Sequence, residues 1–320
     1  MPITNPRTEG LEFKEKFAKR YRALTDIDKF KEYSFYYLRR SIRVNTLKID
    51  VDSLLKRISG DWKLDPVPWC KEGFWIEHRG EGDKKRRDVG NLLEHVLGYI
   101  YVQEAASMIP PLVLDPQPGD RVLDMCAAPG SKTTQIAQYM ENKGVLVAND
   151  VTGVRLAALG VNLQRCGVQN VIMSQGQGAR IRGVEFDRVL VDAPCSGTGT
   201  IRKSLKTIEM WNPKLASHLA KTQRQLIKIG FGLLKPGGTL VYSTCTLEPE
   251  EDEGIIDYLL REFDDACVEE IELEGLKRSD AVVDFEGKTY NPEVKKCLRI
   301  WPQDNDTEGF FVAKIRKSDG

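Results

Sequence analysis

Histidine is scarce in this chain, with three among 320 residues (His78, His95 and His218), and no two of its seven cysteines have CxxC spacing. A zinc ribbon is thereby excluded, and no metal is expected. An odd cysteine count also argues against a disulfide framework, so a reducing cytoplasm is the expected setting. No run of eighteen apolar residues occurs, and the amino terminus is polar and charged without an apolar signal core. The chain is therefore expected neither to span a membrane nor to be exported. Internal repeats and low-complexity tracts are missing as well. What is present is a globular composition, 41% hydrophobic, long enough for one full α/β domain and a smaller one.

Net charge is also lacking, since 47 basic residues balance 47 acidic ones, but the balance hides an uneven distribution. Residues 11–50 carry eleven Lys/Arg against six Asp/Glu, residues 200–228 carry seven against one, and residues 248–274 carry thirteen acids against one base. Each run alone reads equally well as a solvated helical face. Together, basic stretches flanking a crevice with an acidic surface elsewhere would steer a polyanion, which points to RNA or DNA.

From about residue 118, strand-like runs alternate with helical ones. Arg121–Asp124 leads to a helix from Ser131, and residues 144–150 lead to one carrying Leu156, Leu159 and Leu163. Residues 170–173 and 187–192 give a third and a fourth strand. A long helix near 214–234 is followed by the turn Lys235-Pro236-Gly237-Gly238, which launches a fifth strand, 239–244. Such alternation predicts a doubly wound, Rossmann-like and mostly parallel sheet. Runs near 297–301 and 310–315, with Gly309 between them, predict a closing antiparallel hairpin. Residues 1–105 read as a separate α+β module with a strand over Ile42–Leu47, and residues 106–320 as the catalytic domain. Pro110, Pro111, Pro116 and Pro118 read as a linker or domain edge.

The first strand of the predicted sheet runs into Cys126-Ala127-Ala128-Pro129-Gly130-Ser131-Lys132, small residues and a Pro-Gly turn opening a helix. Such a loop lets backbone approach a ligand, and a helix N-terminus offers free N–H groups to a carboxylate. Twenty residues past Gly130, Asp150 ends the second strand, where an acid can accept hydrogen bonds from ribose hydroxyls. A dinucleotide fingerprint wants three glycines and this loop has one, which disfavours a pyrophosphate ligand. S-adenosylmethionine, with an adenosine and a carboxylate but no phosphate, fits.

Two cysteines close predicted strands, Cys195 in Asp192-Ala193-Pro194-Cys195 and Cys245 in Ser243-Thr244-Cys245. Carboxyl ends of parallel strands converge on the ligand crevice, so both thiols are expected to face one bound molecule. One cysteine reads most simply as a small buried hydrophobe; two at sheet ends suggest covalent chemistry through sulfur. A thiolate added to carbon 6 of cytosine turns carbon 5 into a nucleophile toward a methyl sulfonium. The adduct must then lose its carbon-5 proton and expel the sulfur, which needs a second basic group. Cys245 and Cys195 can divide these tasks, in an order the residues leave open. Asp192 can hydrogen-bond the exocyclic amine or ring nitrogen and favour cytosine over uracil.

The segments 126–132, 192–197 and 243–245 resemble those of the Nop/Sun family of RNA cytosine carbon-5 methyltransferases. Arg43-Val44-Asn45-Thr46, Tyr101-Val102-Gln103-Glu104-Ala105-Ala106-Ser107-Met108 and Glu308-Gly309-Phe310-Phe311 match as well, so the resemblance extends from about residue 36 to 316. It implies that Cys245 is the nucleophile and that Cys195 assists release of methylated RNA. It also implies that Lys132 and Asp192 contact the base, and that Cys126, Ala127, Ala128, Pro129, Gly130, Ser131, Lys132, Asp150, Arg155 and Asp192 surround S-adenosylmethionine. Where family members often present an Asp to the adenine, this chain has Gln177, which can still hydrogen-bond.

The expected activity is methylation of cytosine in structured RNA, tRNA somewhat ahead of rRNA, by a monomer to which a helper protein could give a different specificity. The first residues, 1–105, would serve as the RNA-binding module. The target base would have to be unstacked. An inactive RNA-binding or ribosome-assembly factor on the same fold is the alternative, and an amino-group methyltransferase is a third reading; in either, the paired thiols would be idle.

Overall fold

The computed structural model describes residues 3–80 and 88–319. Its first sheet is antiparallel, in the order β2-β3-β1-β4, built from β1 (Ser41–Val44), β2 (Trp62–Val67), β3 (Cys70–His78) and β4 (Ile100–Val102). Helices α1 (Glu15–Arg22) and α2 (Ile27–Ser34) precede it, and α3 (Val51–Ile58) and α4 (Leu93–Val96) are interleaved with its strands. Asp50 starts α3 by accepting a hydrogen bond from Ser53 N at 2.9 Å. Leu54 and Ile58 then share a core with Ile42, Val44, Trp62 and Phe74. The buried faces of α1 and α2 point elsewhere. Phe17, Tyr21, Ile27 and Phe30 pack with Ile201, Ile208, Trp211, Leu247 and Trp301, all from the later half of the chain. Phe17 stacks on Tyr21 at 3.9 Å between ring centroids.

The main sheet has eight strands. Five form a parallel set in the order β9-β8-β5-β6-β7: β5 (Arg121–Asp124), β6 (Val145–Asp150), β7 (Val171–Gln175), β8 (Phe186–Asp192) and β9 (Leu234–Thr244). Helices α5 (Ile109–Leu114), α6 (Ser131–Tyr139), α7 (Gly153–Cys166), α8 (Lys206–Met210) and α9 (Pro213–Gly232) flank or connect these strands. After α10 (Glu253–Glu262) come β10 (Ala266–Glu269), a two-stranded ribbon of β11 (Asp284–Phe285) and β12 (Lys288–Thr289), β13 (Leu298–Ile300), α11 (Pro302–Asn305) and β14 (Phe310–Lys317). β14 runs antiparallel to β9, β10 and β13, so the expected closing hairpin is present with α11 in its connection.

Two sequence expectations are corrected. Pro110 and Pro111 do not lie in a linker: both are buried in the first turn of α5, where a residue without an N–H leaves no helical hydrogen bond unmade. The Lys235–Gly238 turn does not precede the fifth strand either. β9 starts at Leu234 and carries the turn as an irregularity, its register jumping from Phe186↔Leu234 to Arg188↔Thr239. Gly237, at φ +70°, supplies the left-handed residue this needs.

Strand order reverses between β5 and β8. Crossovers from β5 run one way through β6 and β7, while β8 and β9 lie on its other side. That reversal opens a crevice at the carboxyl ends, where Asp124, Asp150, Asp192 and Thr244 end their strands.

Candidate active site

Asp192 and Ser243 are register partners at the ends of β8 and β9, and Ser243 Oγ donates to Asp192 Oδ1 at 2.7 Å. Both chains continue past this pair into turns that bring Cys195 Sγ within 3.3 Å of Cys245 Sγ, each residue half-buried. The expectation that both thiols face one crevice therefore has its geometry. At this separation one sulfur carries a proton toward the other, and the Cys195 thiol is pushed well up, first by that hydrogen bond and then by burial. Gly199 stitches the turns together, its N–H donating to Cys245 O at 3.0 Å and its carbonyl accepting from Gly309 N at 2.9 Å. A Cβ at Gly199 would stand 2.2 Å from Gly309 O and 2.8 Å from Cys245 O, so only glycine fits.

Lys132, second residue of α6, reaches into the same crevice and donates to Asp192 Oδ2 at 2.9 Å and to Ser107 Oγ at 3.1 Å. Its ammonium lies 5.5 Å from the centre of the Phe310 ring. Burial opposes the charge, but the Asp192 carboxylate outweighs it, and Cys245 adds negative charge nearby, so the Lys132 pKa is raised. Cys245, Cys195, Asp192 and Lys132 are thus brought together by three separate segments. Ser107 and Phe310 were not singled out from sequence, although both lie in segments matched to the family. Glu104 and Glu308, from those same segments, form a buried acid pair: Glu308 N donates to Glu104 Oε1 at 3.3 Å, and burial, then Glu308, pushes Glu104 up to about 8.

The acidic run after Cys245 divides: Glu262, Asp264, Glu270, Glu272 and Glu274 are exposed as expected, but its first part is not a solvated surface. Glu248, Glu251, Asp252 and Glu253 are all fully buried. Glu248 accepts from Arg20 Nε, Tyr21 Oη and Trp211 Nε1, and Arg299 pairs with Asp252 and Glu253 at 3.0 and 2.6 Å. The basic runs are thinned by the same burial. Arg20, Arg43 and Arg202 are interior, while Lys203, Lys206, Lys214, Lys221, Arg224 and Lys228 remain exposed.

The predicted cofactor residues gather around the ends of β5 and β6. Gly130, at φ +108°, leads into α6, and its Cβ position would meet Leu159 Cδ1 at 2.8 Å. Asp150 accepts from Ala128 N at 3.1 Å and Val151 N at 2.8 Å, and pairs with Arg155 Nε at 2.8 Å. Arg155 also donates to Ala128 O at 2.9 Å, so it is no free-standing helix residue but a cover over Asp150. Cys126 is half-buried, and desolvation raises its thiol well above the ordinary range. Gln177 is exposed and precedes a short 3-10 turn (Gly178–Arg180), in a loop tied to Asp150 through Gly176 N. One acid that sequence reading passed over is Asp124, 1% exposed. Its Oδ2 accepts from Thr133 Oγ1 at 2.7 Å, and its Oδ1 finds no hydrogen-bond partner among the described residues. An orphaned buried acceptor beside an uncapped helix N-terminus fits a ligand that carries both an ammonium and a carboxylate, as S-adenosylmethionine does.

Burial pushes Asp124 up to about 7. An unfolded Asp titrates near 3.9, so the folded state holds the proton more tightly, and the stability linked to it is complete below about pH 4 and lost as pH rises through 7. Asp124→Asn is expected to stabilise the protein without cofactor by up to about 4 kcal/mol at pH 8. The gain should be smaller at pH 5. Thermal melts of both proteins at the two pH values check this, and equal melting temperatures at pH 8 would refute it.

Comparison with known proteins agrees with this geometry. The 16S rRNA methyltransferase RsmB/F family matches residues 111–316, and the N-terminal domain of 16S rRNA methyltransferase RsmF matches residues 12–105. The tRNA (cytosine(49)-C(5))-methyltransferase of Pyrococcus abyssi is 46% identical over 319 residues, 96% of this chain and 99% of that protein. Ribosomal RNA small subunit methyltransferase F of Vibrio campbellii is 47% identical over 290 residues, 88% of this chain, which spans only 57% of that longer protein. Among solved structures, a methyltransferase homolog from Pyrococcus horikoshii has a TM-score of 0.82 at 38% identity, covering 98% of this chain and 99% of its own. NSun6 from Pyrococcus horikoshii, solved with SFG, has a TM-score of 0.81 at 25% identity, covering 95% and 98%. With these matches across both sheets, the chain belongs to the RsmB/F, Nop/Sun-type family of S-adenosylmethionine-dependent RNA cytosine-C5 methyltransferases.

Proposed function

We propose that this protein methylates carbon 5 of a cytosine in structured RNA through a covalent adduct between Cys245 and carbon 6 of the base. The observation that carries this reading is the thiol pair 3.3 Å apart beside the Lys132–Asp192 ion pair. The Cys245 sulfur bonds to carbon 6, and the electrons of the carbon 5–carbon 6 double bond move toward carbon 5. S-adenosylmethionine supplies the methyl group. A base then takes the carbon-5 proton, the sulfur–carbon 6 bond breaks, the double bond returns and Cys245 leaves as thiolate.

Cys195 supports release by moving that proton. Lys132 and Asp192 hold the ring nitrogen edge. The 126–132 loop, Asp150, Arg155 and Gln177 bind the cofactor, with Asp150 on the ribose. Exposed Lys203, Lys206 and Lys214, together with the β1–β4 module, bind the RNA backbone. We place the division between an RNA-binding module and the catalytic domain near residue 105. An inactive assembly factor has no chemical need for two thiols, a lysine and an acid converging on one crevice.

We favour tRNA as the substrate, because the match to the tRNA enzyme of Pyrococcus abyssi takes in 99% of that protein while the rRNA enzymes are much longer. Incubation with labelled S-adenosylmethionine and either tRNA transcripts or small-subunit rRNA fragments, followed by mapping of 5-methylcytosine, tests this. Label in tRNA alone is expected, rRNA labelling alone would move the substrate, and no label in either would overturn the activity. In the same preparations Asp150→Ala should lose affinity for S-adenosylmethionine by calorimetry while still binding RNA.

A further inference from the structure

Behind the two thiols lies a carboxylate to which neither the sequence segments nor the reaction assigns a task. Glu251 is fully buried and accepts from four neutral donors, three in the turns around the reacting sulfurs and one on α9. Ser196, next to Cys195, gives it both its N–H, at 3.0 Å, and its hydroxyl. Thr246, next to Cys245, gives its hydroxyl at 3.4 Å. Gln223 of α9 donates to it at 2.8 Å and to Pro194 O, on the other flank of Cys195, at 2.9 Å. The two hydroxyls also meet each other at 2.8 Å. The next residue, Asp252, accepts from Thr244 Oγ1 at 2.6 Å, so both flanks of Cys245 are tied to this acidic turn.

We propose that Glu251 is a positioning residue which clamps the Cys195 and Cys245 turns in register, so that Cys195 can serve the release of methylated RNA. The inference rests on the covalent reading above. A carboxylate suits this place because it offers lone pairs to all four donors and no N–H of its own. An amide of the same shape would turn an N–H toward donors, push the Ser196 side of the clamp away and leave the attacking thiol of Cys245 in place. Glu251 touches neither base nor cofactor. Its effect should therefore fall on the step that needs both sulfurs at a set distance, since a displacement of about 1 Å at a reacting group can cost a factor on the order of 100.

The test uses wild type, Cys195→Ala, Glu251→Gln and Ser196→Ala with S-adenosylmethionine and an unmodified transcript of the RNA that accepts label in the experiment above. Single-turnover methyl transfer, steady-state kcat and KM, and denaturation-resistant protein–RNA adduct are each measured. Glu251→Gln is expected to transfer methyl within a few-fold of wild type, to lose about 10- to 100-fold in kcat with KM falling alongside it so that kcat/KM stays within a few-fold, and to accumulate adduct as Cys195→Ala does. Ser196→Ala, which removes only one hydroxyl, should show the same pattern more weakly, and it carries the test if Glu251→Gln does not fold. Adduct with Cys195→Ala but none with either clamp variant would overturn the positioning role while leaving the covalent reading intact. Methyl transfer and release slowed equally would also overturn it. No adduct even with Cys195→Ala would overturn the covalent reading, and the positioning role with it.

Discussion

Cys195→Ala is expected to stall as a protein–RNA complex that survives denaturation, while Cys245→Ala gives no such complex and loses methyl transfer by a factor on the order of 10⁴ or more. The difference follows from the two turns. Each thiol lies against the other at 3.3 Å, but Cys195 is the thiol whose pKa is driven upward, by that hydrogen bond first and then by burial, which leaves it the poorer candidate for attack and the stronger base once its proton is given up. Removing Cys245 removes the sulfur assigned to attack carbon 6. Removing Cys195 leaves attack and methyl transfer in place and takes away the proton carrier for release. Denaturing electrophoresis with labelled RNA separates the outcomes. A complex trapped by Cys245→Ala instead would exchange the two roles, as the sequence alone allowed. Normal turnover by Cys245→Ala would remove it as nucleophile.

Much of this arrangement was legible in the sequence because it is local. The strand ends at Asp124, Asp150, Asp192 and Thr244 follow short apolar runs, and a parallel sheet then sends everything after those runs to one edge. What was not legible depended on partners far along the chain. Glu248 looks like a solvated acid until Arg20, 228 residues earlier, is placed on it. Asp252 and Glu253 are explained only by Arg299, a residue inside β13. Charge counts cannot tell a buried ion pair from a wet surface, so the acidic run was read as surface and Arg20, Arg43 and Arg202 as basic rim. The same holds for α1 and α2. Their apolar faces are plain in the sequence, but their neighbours, Trp211, Leu247 and Trp301, are supplied by the tertiary fold. Pro110 and Pro111 misled for a different reason: two prolines break a helix interior but fit its first turn.

Arg43→Ala is expected to destabilise the protein by about 3–5 kcal/mol, lowering its melting temperature by on the order of 10 °C, and to reduce kcat as well. Arg43 is fully buried in β1 and pairs with no carboxylate among the described residues: its guanidinium donates to Ser131 O and Thr134 Oγ1 at 2.9 Å, to Gln138 Oε1 at 3.2 Å and to Gln103 Oε1. Burial pulls its pKa down, and neutral oxygens alone compensate the charge. Truncation would strand those acceptors in a space closed to bulk water, which is the costly way to lose a hydrogen bond. Lysine would not rescue it, since a single ammonium cannot reach oxygens spread around a planar fork. The link to turnover runs along the same bonds. Gln103, held by Arg43, donates to Ser107 O at 3.0 Å, and Ser107 Oγ receives the Lys132 ammonium at 3.1 Å. Ser131, whose carbonyl Arg43 holds, is the residue before Lys132. Loss of Arg43 therefore loosens both supports of the Lys132 ammonium. Melting curves and methyl-transfer rates for Arg43→Ala, with Lys63→Ala as an exposed control, decide the matter. A melting temperature within a degree or two of wild type would show that β1 and α6 are held together by something other than Arg43.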